Sequence, residues 1–278
     1  GNHWLLTDLL RKQWHYQGFV VSDWNAVQEL KAHGVAETDE DAALLALKAG
    51  VDMNMTDGLY NRCLATAVRE KHLSVSDIDT AVERILRAKY ALGLFDDPYR
   101  FLDVARERRE VRSSRLDSLA RKAAASSMVL LKNNVAVLPL SKQIRRIALV
   151  GPLANNQDEV MGSWNARGNA RDVVTVKEGL RQKLGNEVVI DYIQGCDFTD
   201  PSKREFSAAF DAAQQSDVVI AVLGEKALMS GESRSRAMLR LPGQQEALLD
   251  TLHKAGKPLV VVLMNGRPLC LQKVDTLA

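Results

Sequence analysis

The segment SDVVIAVLGE, residues 216–225, decides the fold class of the second half of the chain. Its central residues, Val218 to Leu223, are all apolar, without the alternation typical of a strand with one face in water. The run has the length of a strand and is too short for an ordinary helix. Three further segments have the same character: RRIALVGP (145–152), EVVIDYIQG (187–195) and PLVVVLMNG (258–266). Strands that are apolar on both faces indicate a parallel sheet covered by helices on each side.

Amphipathic segments separate these strands. Three helices are predicted there: VTVKEGLRQKLG (174–185), REFSAAFDAAQQ (204–215) and PGQQEALLDTLHKAG (242–256). The alternation predicts an α/β domain with a mainly parallel sheet. In such sheets ligands bind outside the carboxyl ends of the strands. Three loops follow predicted strands at that edge: GPLANN (151–156), GEKALMSGESRSR (224–236) and NGRP (265–268).

The first 95 residues contain more helical pattern than strand pattern. Predicted helices are 5–14, 40–50, 61–73 and 75–95, and predicted strands are FVVSD (19–23) and VDMNM (51–55). Gly50 is expected to end the second helix in a left-handed conformation. Ser76 is expected to cap the start of the last helix, since serine side chains accept bonds from the first free N–H groups.

A domain boundary is predicted near residue 95. Residues 96–115 lose apolar periodicity and gain charge and a proline, which indicates a linker between domains. The second domain is therefore predicted over 116–278, beginning with a helix (116–127) and a short strand, MVLLKN (128–133).

Composition excludes several function classes. The 278 residues are 46% hydrophobic and 26% charged, as in ordinary globular proteins of about two domains. A net charge of +2 without a basic, aromatic-rich stripe argues against nucleic acid. No apolar run approaches the roughly 18 to 20 residues of a membrane span. The three cysteines and five histidines show no metal-ligand spacing, and nucleotide-binding and serine-hydrolase motifs are absent. No metal or cofactor is predicted.

Asp23 is the first candidate catalytic residue, because it ends the predicted strand FVVSD, where a barrel of strands and helices collects its catalytic groups. A solvated acid in a loop is the alternative. Trp24 follows it, and a flat apolar ring beside a carboxylate suits a sugar, which has apolar faces and polar edges. Trp164 lies in the glycine-flanked loop MGSWNARG (161–168). Packing in a core is the competing interpretation for both tryptophans.

Glu232 is the second candidate acid. It lies in the loop after the strand of residues 216–225, at the edge where such a sheet presents ligand groups. Glu225 in the same segment competes with it. Because Glu225 still belongs to the strand end, we expect it to cap a helix or to pair with a basic residue.

Together these segments resemble, in order along nearly the whole chain, the family-three glycoside hydrolases, in particular their bacterial periplasmic β-glucosidase type. The segments that carry the resemblance are NHWLLTDLLRKQWHYQGFVVSDW (2–24), ALKAGVDMNM (46–55), DIDTAVERILRAKYALGLFDDPY (77–99), SSMVLLKNNVAVLPL (126–140), DEVMGSWNARG (158–168), GEKALMSGESRSR (224–236) and LVVVLMNGRPL (259–269).

The resemblance implies a fold and a reaction. Residues 1–95 would be the C-terminal portion of a (β/α)8 TIM barrel, and 116–278 an α/β sandwich domain without its C-terminal part. The implied enzyme is a retaining β-glucosidase, with Asp23 as nucleophile, Glu232 as general acid/base, and Trp24 and Trp164 binding substrate. Retaining glycosidases keep one such carboxyl group ionised and the other protonated. The partners implied are β-linked glucosides or short oligosaccharides, with a homodimer as a possible assembly.

Several alternatives stay open at this level. Only two segments resemble barrel strands, so the sequence is expected to be an internal fragment that is inactive by itself. The same chemistry on β-xylosides is one alternative. A non-catalytic α/β binding or interaction domain, in which both acids are incidental, is another. The residues leave the compartment unknown, whereas the resemblance favours a periplasmic or secreted location.

Overall fold

Helices make up most of the first half of the chain. The computed structural model describes residues 1–134 and 136–278, which group into two compact units, Gly1–Ser127 and Met128–Ala278. The first unit begins with a π-helix, Trp4–Gln13. Its α-helices are α1 (Ala26–Ala32), α2 (Asp39–Ala49), α3 (Leu59–Arg69), α4 (Val75–Ala91), α5 (Val104–Glu110) and α6 (Ser114–Ser127).

The core of the first unit forms around α2. Small residues on this helix, among them Ala42, Ala43 and Ala46, are almost fully buried and allow close packing against Leu59 and Leu64 of α3. Thr38 begins α2 with a capping box, and Gly50 ends it at φ 113°. The predicted role of Gly50 is confirmed.

Two extended segments of this unit run side by side. Val21 and Met53 form a parallel bridge, and the Met53 N–H donates to the Val20 carbonyl at 3.0 Å. The sequence predicts full strands over 19–23 and 51–55, but the pairing is limited to this bridge. A ladder needs neighbours along its length, and each segment pairs here with the other alone among the described residues.

Two further predictions about local structure are wrong. The cap of α4 is Ser74, not Ser76, because Ser74 is extended and its side chain accepts a bond from the Ser76 N–H at 3.2 Å. Residues 128–133 form no strand, and Met128 to Leu131 are 66–78% exposed. An apolar segment becomes a strand only where a partner accepts its hydrogen bonds.

The predicted linker lies in the first unit. Residues 96–115 include all of α5 and the start of α6. The domain boundary near residue 95 stays a prediction.

The second unit is built on the parallel sheet that the sequence predicts. Its strands are β1 (Arg146–Val150), β2 (Val189–Ile193), β3 (Val218–Gly224) and β4 (Leu259–Met264). They are all parallel, in the order β2-β1-β3-β4. The α/β fold class is confirmed.

Helices cover both faces of this sheet. The α-helices of the unit are α7 (Val176–Leu184), α8 (Phe206–Gln215), α9 (Gln245–His253) and α10 (Gln272–Leu277), and one-turn helices lie at Glu159–Met161, Ala170–Asp172 and Ala227–Met229. Residues of α8, α9 and α10 pack on one face, around Val219 and Leu223, and α7 packs on the other, around Leu149 and Val222. All seven residues of β3 are buried, as a central strand with two covered faces requires.

Within residues 1–134 and 136–278, no helix combines the length and the hydropathy that crossing a bilayer requires.

Candidate active site

Asp23 lies at the point where the first extended segment turns into α1. Its side chain is exposed, and its Oδ1 accepts a bond from the Trp24 N–H at 2.7 Å. The indole of Trp24 is 66% exposed. Within the described residues neither side chain is part of a core, and a carboxylate and an indole are exposed at neighbouring positions.

The second extended segment holds this turn in place. The Ser22 N–H donates to the Met53 carbonyl at 2.9 Å, and the Met55 N–H donates to Ser22 Oγ at 2.8 Å. Asn25 adopts a left-handed conformation at φ 55°. The Asn25 N–H donates to the Thr56 hydroxyl, and that hydroxyl donates to Asn25 Oδ1. These bonds on both sides of Asp23 fix the backbone that carries it.

A buried carboxylate, Asp52, ties the same segments to the helices. Its side chain is 2% exposed and accepts bonds from Arg11 Nη2 at 2.5 Å, Arg84 Nη1 at 2.7 Å and the Val20 N–H at 2.8 Å. Arg11 also donates to the Gly18 carbonyl at 2.9 Å. The start of the segment that leads to Asp23 is therefore fixed by an ion-paired network, as buried charges require.

In the second unit, the loop between β3 and α9 carries Glu232. Glu232 is exposed, and no hydrogen bond or ion pair among residues 1–134 and 136–278 involves its carboxylate. The residues on either side, Gly231 and Ser233, have positive φ values of 118° and 58°. The backbone therefore bends sharply at Glu232, and its side chain projects from the loop.

Glu225 begins this loop and is buried. Its side chain is 1% exposed, and its Oε1 lies 2.5 Å from Arg236 Nη1 and 3.4 Å from Arg267 Nε. The expectation that Glu225 pairs with a basic residue is confirmed. A buried carboxylate paired in this way is a structural anchor, whereas Glu232 stays available.

Trp164 comes from the loop after β1, which lies against the loop of Glu232. Its side chain is 74% exposed, so it is not a core residue. A β-carbon placed on Gly231 would lie 2.7 Å from Ser163 Oγ and 3.7 Å from Trp164 Nε1. Glu159 Oε2, nearby in sequence, accepts a bond from the Ala227 N–H at 2.8 Å. The two loops are therefore packed and bonded together, and Trp164 stands beside the residue that precedes Glu232.

The structure thus places the four predicted residues in two regions, each within one unit: Asp23 next to Trp24, and the loop of Glu232 next to the loop of Trp164. Two residues that hold the second pair, Arg236 and Arg267, were not predicted. The signal available for them was their place in loops at the carboxyl edge of the sheet.

One group of side chains in the described part of the chain could hold a metal ion. Nδ1 of His72 lies 2.7 Å from Glu40 and 3.8 Å from Glu70, and these side chains range from partly to largely exposed. The hydrogen bond that the His72 imidazole donates to the Glu40 carboxylate raises the pKa of His72. The imidazole lies within ion-pair distance of both carboxylates, and no step of chemistry is assigned to this group.

Comparisons with known proteins cover almost the whole chain. Residues 1–88 match the family model of the glycosyl hydrolase family 3 N terminal domain, and residues 128–278 match that of the glycosyl hydrolase family 3 C-terminal domain. A periplasmic beta-glucosidase of Salmonella typhimurium is 41% identical over 99% of this chain and 39% of its own length. A beta-xylosidase of Formosa agariphila is 38% identical over 98% of this chain and 39% of its own.

The chain is also similar to solved structures of beta-glucosidases over its whole length. The beta-glucosidase from Listeria innocua in complex with isofagomine has a TM-score of 0.91 at 37% identity, covering 100% of this chain and 38% of that one. The chain therefore spans well under half the length of the relatives that it matches.

Proposed function

The chain belongs to glycosyl hydrolase family 3, and we propose that it carries both catalytic carboxylates of a retaining β-glucosidase. The substrates proposed are terminal, non-reducing β-D-glucosyl residues of glucosides and short oligosaccharides. The name of the Salmonella relative supports a periplasmic location as part of the same proposal. A homodimer stays a prediction.

The reaction has two steps. In the first, a carboxylate oxygen of Asp23 attacks the anomeric carbon, the glycosidic C–O bond breaks, and Glu232 gives its proton to the departing oxygen. In the second, Glu232 takes a proton from water, the water oxygen attacks the anomeric carbon, and the bond to Asp23 breaks. The two inversions retain the configuration of the sugar, and both residues return to their starting protonation states.

One observation carries the proposal. Asp23 is exposed next to the exposed indole of Trp24, and Glu232 is exposed in a loop whose preceding residue, Gly231, lies near the exposed indole of Trp164, although large aromatic side chains usually bury most of their surface. A carboxyl group next to a free aromatic face suits a sugar ring, which offers apolar C–H faces for stacking and a polar bond for chemistry. A non-catalytic interaction domain would not need a free acid next to each indole.

β-Xylosides are the second candidate substrates, because the Formosa relative matches this chain nearly as well as the Salmonella one. The complete open reading frame should be expressed and tested with aryl β-glucoside and aryl β-xyloside. We expect faster cleavage of the glucoside. A reversed preference would change the substrate, and cleavage of neither would overturn the proposal.

Two variants test the roles of the acids. Asp23→Asn should abolish turnover, because no glycosyl-enzyme forms. Glu232→Ala should lose about 10²- to 10⁴-fold in kcat/KM on cellobiose, whose leaving oxygen needs a proton. It should lose little on a dinitrophenyl glucoside, whose leaving group departs as an anion. Equal losses on the two substrates would show that Glu232 is not the acid.

A further inference from the structure

The loop of Glu232 is held by an arginine that does not contact the Glu232 side chain. We propose that Arg267 is a positioning residue for the catalytic acid: with Arg236 and Glu225, it fixes the loop so that the Glu232 carboxyl group meets the leaving oxygen. The inference rests on the proposed function of Glu232 and assigns a role to a group outside the reacting pair.

Arg267 bonds two backbone carbonyls of the loop that carries Glu232. Its Nη2 donates to the carbonyl of Met229 and, at 2.9 Å, to the carbonyl of Arg234. These two carbonyls lie on either side of Glu232 in sequence. One guanidinium therefore joins both legs of the loop, which a planar group with several N–H donors can do. Arg267 itself follows β4, so the loop is tied to the sheet.

Arg236 and Glu225 complete the anchor. Arg236 Nη1 bonds Glu225 Oε1 at 2.5 Å, and its Nη2 donates to the Arg240 carbonyl at 3.1 Å. Glu225 is fixed at the end of β3, where its N–H donates to the Met264 carbonyl at 3.0 Å. Its Oε2 has no hydrogen-bond partner in the described part of the chain, so both arginines are needed to compensate a carboxylate that is 1% exposed.

Glu232 depends on the backbone of its loop, because no described residue bonds its side chain. Its carboxylate is without a bonded partner among the described residues, and Gly231 and Ser233 on either side adopt left-handed φ values. Non-glycine residues keep such a conformation only where their surroundings enforce it. The position of the acid is thus set by its backbone, and Arg267 and Arg236 hold that backbone together with the bond from the Arg234 N–H to the Gly231 carbonyl at 3.3 Å and the close approach of Ser163 to Gly231.

Loss of the anchor should weaken proton transfer more than binding. A misplacement of about 1 Å at a reacting group can cost about 10²-fold in rate. We expect Arg267→Met to lower kcat/KM on phenyl β-glucoside about 30- to 100-fold, and on dinitrophenyl β-glucoside less than about 3-fold. Arg267→Lys should recover part of the loss, since an ammonium keeps the charge near Glu225 but not the planar fork.

Arg240→Met is the matched control. Arg240 is exposed and pairs with Glu246, and its carbonyl, which Arg236 uses, is unchanged by the substitution. It should leave both substrates unaffected. All variants are made in the product of the complete open reading frame, with circular dichroism melting to check folding.

The outcomes separate the inference from the proposed function. If the parent enzyme cleaves neither substrate, or Glu232→Ala slows both equally, the proposed function fails and the inference with it. If Glu232→Ala is selective but Arg267→Met slows both substrates equally, or neither, the inference alone is wrong. If Arg267→Met does not fold, Arg267→Lys decides: a selective loss of about 3- to 10-fold supports the inference, and an unselective one overturns it.

Discussion

Asp52→Asn should destabilise the first unit strongly, although it removes a single charge. Asp52 is 2% exposed and accepts three hydrogen bonds: two from the guanidinium groups of Arg11 and Arg84, and one from the Val20 N–H. Asparagine has nearly the same shape but offers one acceptor oxygen. Its NH₂ group must therefore face at least one of these donors.

The contacts set the magnitude. A hydrogen bond to a charged group contributes about 1.5–3 kcal/mol, and removing one partner of a buried ion pair costs about 3–5 kcal/mol. Arg84 is 28% exposed and can turn to water, which argues for the lower end, whereas Arg11 is 10% exposed and cannot. We expect a loss of about 3 kcal/mol in the free energy of opening the unit.

Hydrogen exchange followed by mass spectrometry measures the free energy of opening for individual peptides of the first unit. The amides of Val20 and Met53 are bonded between the two extended segments and to Asp52, so peptides spanning residues 18–25 and 50–58 report their opening. A loss of about 3 kcal/mol corresponds to roughly 100-fold faster exchange, at about 1.4 kcal/mol for each factor of ten. Peptides of the second unit should be unchanged.

Asp79→Asn is the control, because Asp79 is exposed on α4 and its carboxylate takes part in no hydrogen bond or ion pair of the described residues. Its effect should stay within about 0.5 kcal/mol. Exchange that is less than about threefold faster in Asp52→Asn, or equally fast in the control, would refute the reasoning that the paired carboxylate holds the segments together.

Burial, and then the charges of Asp52 and Asp57, raise the pKa of Tyr60, whose hydroxyl donates to the Val51 carbonyl at 2.8 Å. A raised pKa in the folded state gives stability that is full below the ordinary value of 10.0 and is lost as pH rises above it. Thermal melting between about pH 9 and about pH 11 should therefore fall less steeply in Tyr60→Phe than in the parent; an equal slope contradicts this. Burial also raises the pKa of the Cys196 thiol to about 12, whereas Cys270 is exposed, so iodoacetamide at about pH 8 should modify Cys270 first and Cys196 only after unfolding. Equal modification in the native protein, measured by peptide mass spectrometry, would show that Cys196 is accessible.

The sheet was predictable because its strands are buried on both faces. Uninterrupted apolar runs such as Val218–Gly224 bury both faces when the strand lies between two layers of helix. MVLLKN (128–133) has a similar composition and forms no strand, since it finds no partner to accept its hydrogen bonds within the described residues. Composition therefore predicts which segments are able to be strands, while pairing decides which of them are.

The sequence predicted the residue that ends α2 but not the residue that caps the start of α4. Gly50 was predictable as a helix end, because few residues adopt its φ of 113° without strain. The choice between Ser74 and Ser76 was not, because both are serines at the start of the same amphipathic pattern. It depends on which one is extended, and that depends on the path of the preceding chain.

Some features of the candidate site could also be predicted from the sequence, and others depend on the fold. Asp23 and Trp24 are adjacent in sequence, so their pairing could be predicted from the strand end alone. The approach of Trp164 to the loop of Glu232 is tertiary and depends on the Gly231 contact with Ser163. Which of the loop arginines turn inward also requires the fold: Arg236 and Arg267 do, while Arg240 stays at the surface with Glu246.

Glu225 and Glu232 lie close in sequence, and only Glu232 fits the proposed role of general acid, for a physical reason. A general acid must reach its substrate and must release and regain a proton in each cycle. Glu225 is 1% exposed and paired with two guanidinium groups, which block access to its carboxylate. Glu232 is exposed, and no described residue forms an ion pair with it. The two glutamates of this loop therefore have different proposed roles. Glu225 pairs with the arginines and holds the loop in place, and Glu232 is exposed on that loop without a bonded partner among the described residues.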